Sequence, residues 1–227
     1  MTGSIPEGLI PRGLIVSCQA QPGNPLYGPT FMAAMAKAAE QGGAVALRAN
    51  GPEDIRAIKE VSGLPMIGLL KLELPNFEPY ITPTLESARA IADAGADLIA
   101  VDATSRTHPE GKDFLARVKA ELKRPIFADI ATFEEGVAAA EAGAAYVSTT
   151  LSGYTSYTER TDTPDFDLLR ELVDAVDIPV VAEGRFWTPE QVERAFDLGA
   201  HAVVIGTAIT NPVEITKRFV SAVPEMS

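Results

Sequence analysis

Eight short apolar runs recur along this chain, roughly 25–30 residues apart, and most follow one of two kinds of break. Four follow the small residues that end a helix: Gly42-Gly43-Ala44-Val45-Ala46-Leu47, Ala94-Gly95-Ala96-Asp97-Leu98-Ile99-Ala100-Val101-Asp102, Ala142-Gly143-Ala144-Ala145-Tyr146-Val147 and Leu198-Gly199-Ala200-His201-Ala202-Val203-Val204-Ile205-Gly206. Three follow a proline: Leu64-Pro65-Met66-Ile67-Gly68, Arg124-Pro125-Ile126-Phe127-Ala128-Asp129 and Ile178-Pro179-Val180-Val181-Ala182-Glu183. Gly13-Leu14-Ile15-Val16-Ser17-Cys18 opens the series. Helical patterns such as Ser87 to Asp93 and Glu190 to Asp197 fill the intervals, and the glycines after them are natural helix C-caps. Runs that are apolar throughout, rather than alternating, have both faces covered, which is the condition of a parallel sheet. Eight near-equal strand–helix units predict an α/β fold of the (β/α)8 TIM barrel type, which usually takes about 250 residues. A doubly wound open sheet is the structural alternative, and the odd–even repeat of breaks favours closure. The 227 residues suit one barrel domain, 1–227.

Composition narrows the function. The net charge is −12, which argues against a nucleic-acid surface, since neutralising phosphates needs a basic stripe. A small anion can still bind an acidic protein where a few donors converge. No apolar run approaches the ~20 residues of a membrane span. Met1 to Arg12 lacks the apolar centre of a signal peptide. The single cysteine, Cys18, excludes an internal disulfide and fits a reducing, cytoplasmic location. Two histidines and one cysteine offer no zinc cluster, so neither a metal nor an organic cofactor is expected. The polar stretch Tyr154 to Pro164 reads as a mobile loop over the site.

In a barrel the site is built at the C-terminal ends of the strands. Taken in order, those ends carry Ser17, Cys18 and Gln19, then Arg48, Lys71, Asp102 and Asp129. Ser148 and Thr149 follow, then Glu183, Gly184 and Arg185, and finally Gly206 and Thr207. This ring of donors and opposed charges suits a small polyhydroxylated anion. Each member also has a plainer reading. Lys71 reads as a surface lysine, although Gly68-Leu69-Leu70 starts its stem inside. Glu183 needs a partner to be buried, with Lys71 or Arg48 in reach of one salt bridge. Asp102 and Asp129 read equally as helix caps, Asp102 more so because Thr104 and Ser105 share that work. Cys18 reads as a small buried hydrophobe, and His108 and His201 as non-catalytic. Barrels often hold phosphate with the loops after strands seven and eight, which here carry Gly184-Arg185 and Gly206-Thr207-Ala208-Ile209.

The motifs resemble one family over nearly the whole chain. They are Ile15-Val16-Ser17-Cys18-Gln19-Ala20, Gly43-Ala44-Val45-Ala46-Leu47-Arg48-Ala49, Ile67-Gly68-Leu69-Leu70-Lys71 and Tyr80-Ile81-Thr82-Pro83-Thr84. Further on come Val101-Asp102-Ala103-Thr104, Thr149-Thr150-Leu151-Ser152-Gly153-Tyr154-Thr155, Ala182-Glu183-Gly184-Arg185 and Gly206-Thr207-Ala208-Ile209-Thr210. Together they resemble the N-acetylmannosamine-6-phosphate 2-epimerase (N-acylglucosamine-6-phosphate 2-epimerase) family. The resemblance implies a ribulose-phosphate-binding type of barrel acting in sialic acid and amino-sugar breakdown. It implies that Lys71 is the catalytic lysine and Glu183 its partner, with Gln19, Arg48 and Asp129 touching an amino sugar phosphate. It also implies a homodimer, formed by exchange of the last helix, Pro212 to Val223. The chain departs from the pattern at Asn211, where relatives often carry arginine, and at Ser105 to Pro109, where they are more basic.

The implied chemistry suits these groups. Inverting C2 means removing the proton beside the C1 aldehyde and returning it on the other face. A weak carbon acid needs a close, desolvated base tuned toward neutrality, and a lysine near Arg48 in a barrel core has its pKa lowered. Two other readings stay open on these residues: a Schiff-base aldolase using Lys71, and a phosphosugar-binding sensor without turnover.

Overall fold

Local signals start and stop each helix. Thr84, Thr132 and Thr188 cap α3 (Leu85–Asp93), α5 (Phe133–Glu141) and α7 (Pro189–Asp197), each accepting from the backbone of the third helical residue in a reciprocal capping box. Such a cap contributes about 1 kcal/mol. Proline opens α1 (Pro29–Gln41) and α2 (Pro52–Val61), where its missing N–H is no loss. Gly43 and Gly199, just beyond α1 and α7, have φ of 93° and 94°. That left-handed turn lets the chain leave the helix for the next strand.

The computed structural model describes residues 9–111 and 113–224, so the first eight residues of the Met1–Arg12 segment lie outside the described residues. The strands are β1 (Gly13–Cys18), β2 (Ala46–Asn50), β3 (Met66–Leu69), β4 (Leu98–Asp102), β5 (Ile126–Asp129), β6 (Tyr146–Ser148), β7 (Val180–Glu183) and β8 (Ala202–Ile205). All neighbours are parallel, and β8 pairs back onto β1, so the sheet closes as the expected barrel. The remaining helices are α4 (Phe114–Leu122), α6 (Phe166–Ala175), a short α8 (Thr207–Thr210) and α9 (Pro212–Val220).

Two cores result. Outward-facing residues such as Val16, Leu47, Val101 and Val203 pack with the helices, while Ile15, Ile67, Leu98, Phe127 and Val181 fill the barrel interior. At the N-terminal end Ile10 plugs the barrel, donating its N–H to Tyr146 Oη at 3.1 Å and placing its carbonyl 2.8 Å from His201 Nε2. His201 is thereby structural, and His108 is stacked on Phe114 at 3.9 Å. Among the described residues no helix is long and apolar enough to cross a membrane.

Candidate active site

Side chains on one face of a strand are two residues apart. Counting upward along the inner face of each strand, apolar residues give way to polar ones at the C-terminal end. Ile15 leads to Ser17, Ala46 to Arg48, Ala100 to Asp102, Phe127 to Asp129, Tyr146 to Ser148, and Val181 to Glu183. The same count from Ile67 and Leu69 reaches Lys71, two residues past the end of β3. These ends surround a cavity of about 790 Å³, lined among others by Gln19, Lys71, Tyr80, Thr150 and Glu183.

Beneath its floor lies a charge network. Arg48 is 1% exposed and grips Asp129 with both terminal nitrogens, at 2.9 and 2.7 Å. Its Nη1 also lies 3.1 Å from Glu183 Oε2. Arg48 and Asp129 do not line the cavity. They lie below it, where Arg48 pairs with Glu183 directly and Asp129 is joined to it through Arg48 and Thr150. Thr150 Oγ1 sits 2.6 Å from Asp129 Oδ1, 3.0 Å from Glu183 Oε2 and 2.9 Å from Ser148 Oγ. One hydroxyl donates one proton, and the shortest contact is to Asp129. The Glu183 contact is then satisfied when Glu183 itself carries a proton. Burial pushes the Glu183 carboxyl above the usual range, against the opposing pull of Arg48, which favours that proton.

Arg48 takes both ion pairs that Asp129 and Glu183 offer, leaving Lys71 outside them. Burial first, and the Arg48 charge second, hold the Lys71 ammonium below its ordinary pKa. The cavity thus faces an amine and a carboxyl that are both driven toward their neutral forms. Such a pair can take a proton at one point and give one at another.

Gln19 donates to Ser17 Oγ at 2.8 Å, while its buried Oε1 has no partner among the described residues. Gln19 lines the cavity. Thr149, expected at the substrate, points elsewhere. Its hydroxyl donates to the Glu183 carbonyl and accepts from the Glu183 amide, at 2.9 and 3.0 Å. It fixes the backbone of Glu183, and Thr150 takes the place at the cavity. Counting by two from Ser148 would have found Thr150. Tyr80 was also missed, because it comes from a loop rather than a strand. Asp102 is taken up within its own loop by Thr104 and by Arg106 at 2.6 Å; it does not cap a helix, since α4 begins only at Phe114 with Asp113 at its N-cap. Cys18 is fully buried and its thiol is pushed up to about 12, mainly by burial, so it is inert.

On the anion side, Gly184, Gly206 and Thr207 line the cavity. Arg185 does too, but it adopts φ of 61° and donates Nε to Thr163 O at 2.8 Å and Nη1 to Ser152 O at 2.7 Å. It therefore ties together both stems of the β6–α6 loop, whose Tyr154, Arg160, Thr161 and Asp162 cover the cavity mouth. Asn211 caps α9 through Glu214 N and receives Asn24 Nδ2, both at 3.4 Å. Arg218 of α9, stacked 4.5 Å from Trp187, reaches the rim as well. Four cationic side chains (Lys71, Arg160, Arg185, Arg218) against two acidic ones (Asp162, Glu183) give the cavity an excess of two positive charges in a strongly acidic protein. Among the described residues no group of three His, Cys, Asp or Glu side chains is placed to hold a metal ion.

A closed barrel with an acid–base pair and a cationic rim at its C-terminal mouth defines the class: a barrel enzyme for proton transfer on a small anion. The sequence model of the family described as "Putative N-acetylmannosamine-6-phosphate epimerase" matches residues 32–225. A protein of that name from Caldanaerobacter subterraneus subsp. tengcongensis is 52% identical over 218 residues, covering 94% of this chain and 92% of that one. One from Clostridium perfringens is 48% identical over 214 residues, covering 93% and 96%. The solved N-acetylmannosamine-6-phosphate 2-epimerase from Clostridium perfringens superposes with a TM-score of 0.91 at 46% identity, covering 95% of each chain. Thiamine phosphate pyrophosphorylase from Pyrococcus furiosus, at TM-score 0.63 and 17% identity, shares the fold alone. The chain belongs to the N-acetylmannosamine-6-phosphate 2-epimerase family.

Proposed function

We propose that this protein interconverts N-acetylmannosamine 6-phosphate and N-acetylglucosamine 6-phosphate, as an isomerase in sialic acid and amino-sugar catabolism. The observation that carries this reading is that Lys71 and Glu183 face one cavity while Arg48, not Lys71, takes the ion pair with Glu183, with burial moving the lysine pKa down and the glutamate pKa up. Lys71 removes the C2 proton and returns one to the other face after the ring-opened enolate turns about its C2–C3 bond. Glu183 moves a proton at the sugar oxygens as the ring opens and as the enolate forms. Arg48 and Asp129 hold Glu183 from below, Gln19 accepts from the acetamido or hydroxyl groups, and Thr149 fixes the Glu183 backbone. The 6-phosphate lies toward Gly184, Arg185, Gly206 and Thr207, with Arg218 at the rim. Hydrogen-bond donors at developing negative charge supply the transition-state stabilisation, and no metal or organic cofactor enters the scheme.

The reading is tested in heavy water. Turnover puts deuterium at C2 of the product, and Lys71→Ala loses both exchange and net epimerisation by about 10²–10⁴-fold or more. The variant still binds sugar phosphate. Exchange at the wild-type rate in Lys71→Ala moves the base to Glu183 or Asp129. A borohydride-trapped adduct with substrate favours the aldolase reading instead.

A further inference from the structure

The Tyr80-Ile81-Thr82-Pro83-Thr84 motif has no part in the chemistry above, yet it sits beside Lys71. β1 and β2 pair through four residues, as do β2 and β3. β3 and β4 pair through only two, Ile67↔Leu98 and Gly68↔Ile99. Above Gly68 the barrel opens between them, and residues 80–82 fill the gap. On one side Thr82 N donates to Leu70 O at 2.8 Å and Leu72 N to Tyr80 O at 2.9 Å, so that Lys71 and Ile81 form an antiparallel bridge. On the other side Asp102 N donates to Ile81 O at 3.0 Å. An antiparallel piece thus replaces the missing parallel ladder, with Ile81 and Thr82 buried.

Thr82 holds a backbone it does not favour. Its φ is 49°, where a β-branched residue is an outlier, and Pro83 pushes the preceding residue toward extended conformations. Glycine would enter this region freely, so the threonine side chain has to contribute something glycine lacks. Thr82 Oγ1 accepts from Leu70 N at 3.1 Å, an amide that β3 no longer pairs. The next amide, that of Lys71, donates to Asn50 Oδ1 at 2.8 Å. Two consecutive amides at the end of β3 are therefore held by side chains from opposite sides, which fixes the point from which the Lys71 side chain departs.

We propose that residues 80–82 are a wedge that aims Lys71, with Thr82 as its positioning residue. Thr82 touches no reacting atom, and it acts through the Leu70 and Lys71 backbone. The proposal rests on the reading of Lys71 as the C2 base. Misplacing a reacting group by about 1 Å is enough to cost about 10²-fold.

The test uses Thr82→Val, which keeps the shape and the strained backbone but removes the acceptor. Its kcat and its C2 deuterium exchange are expected to fall roughly 10- to 100-fold, with KM little changed because the anion side is intact. Thr82→Ser, which restores the hydroxyl, is expected to recover most of the rate. A Thr82→Val enzyme with wild-type kcat overturns the proposal, as does a Thr82→Ser enzyme no faster than Thr82→Val. If Thr82→Val does not fold, Thr82→Gly removes the acceptor while relieving the strained backbone. It carries the same expectation, and wild-type kcat there overturns the proposal equally. Lys71→Ala measured alongside separates the two failures. An active Lys71→Ala removes the base assignment, whereas a dead Lys71→Ala beside a full-speed Thr82→Val removes the wedge alone.

Discussion

Lys71 and Glu183 are moved in opposite directions by the same burial, and both end nearer neutrality. This has a pH consequence. A lysine base works deprotonated, so C2 exchange should rise with pH through the Lys71 pKa. Because that pKa is lowered by burial and by Arg48, the acid limb of kcat/KM should lie below the ordinary lysine value of about 10.4. A limb at the ordinary value would count against Lys71. Glu183→Gln should slow net epimerisation yet keep slow C2 exchange, since Lys71 remains; complete loss of exchange would make Glu183 the base. Single residues were legible in the sequence where position along a strand determines direction, as at Lys71 and Glu183. Depth was not legible. Arg48 and Asp129 read as charged strand ends, and the sequence does not tell that they pair with each other in a buried, bidentate contact. Thr150 rather than Thr149 shares the inward face with Ser148, because a period of two from Ser148 lands on Thr150.

At the level of elements, the strands, helices and caps followed from glycine, proline and threonine signals, because each acts within a few residues. The loop after β6 was legible as a loop at the site, but its anchor was not, since that comes from another unit. Arg185, in a left-handed backbone after β7, bonds carbonyls at both ends of that loop and lies over the Tyr154 ring at 5.2 Å. Its effect on binding therefore includes closure of the loop as well as charge. Losing such charge-assisted bonds costs on the order of 1.5–3 kcal/mol. Arg185→Ala should accordingly raise KM by roughly 10- to 100-fold with the barrel still folded, and residues 153–163 should be cut faster by protease. Arg185→Lys distinguishes the two contributions. It keeps the charge but lacks the planar fork that reaches two carbonyls, so it should behave like Arg185→Ala if closure dominates. Unchanged titration of sugar phosphate by Arg185→Ala would remove this residue from binding altogether.

At the level of the whole molecule, barrel closure was readable because every strand–helix unit reports it independently. The wedge between β3 and β4 was not, since nothing local in residues 80–82 reveals which gap they fill. The last helix is the other feature that only the assembled molecule explains. α9 buries none of its residues, and Phe219 and Val220 are 72% and 62% exposed. An apolar face without a partner points to an interaction site, and we propose that it serves the homodimer that the family resemblance implies. The same helix brings Arg218 to the cavity rim, against Trp187. Assembly and substrate binding should then be linked, since whatever seats α9 also seats Arg218. Replacing Phe219 and Val220 together by aspartate should give a monomer by light scattering, with a raised KM for the sugar phosphate. Its kcat should be much less affected, because Lys71 and Glu183 lie on other elements. A variant that remains dimeric would remove α9 from the interface. A monomer with wild-type KM would show that Arg218 keeps its place without the partner.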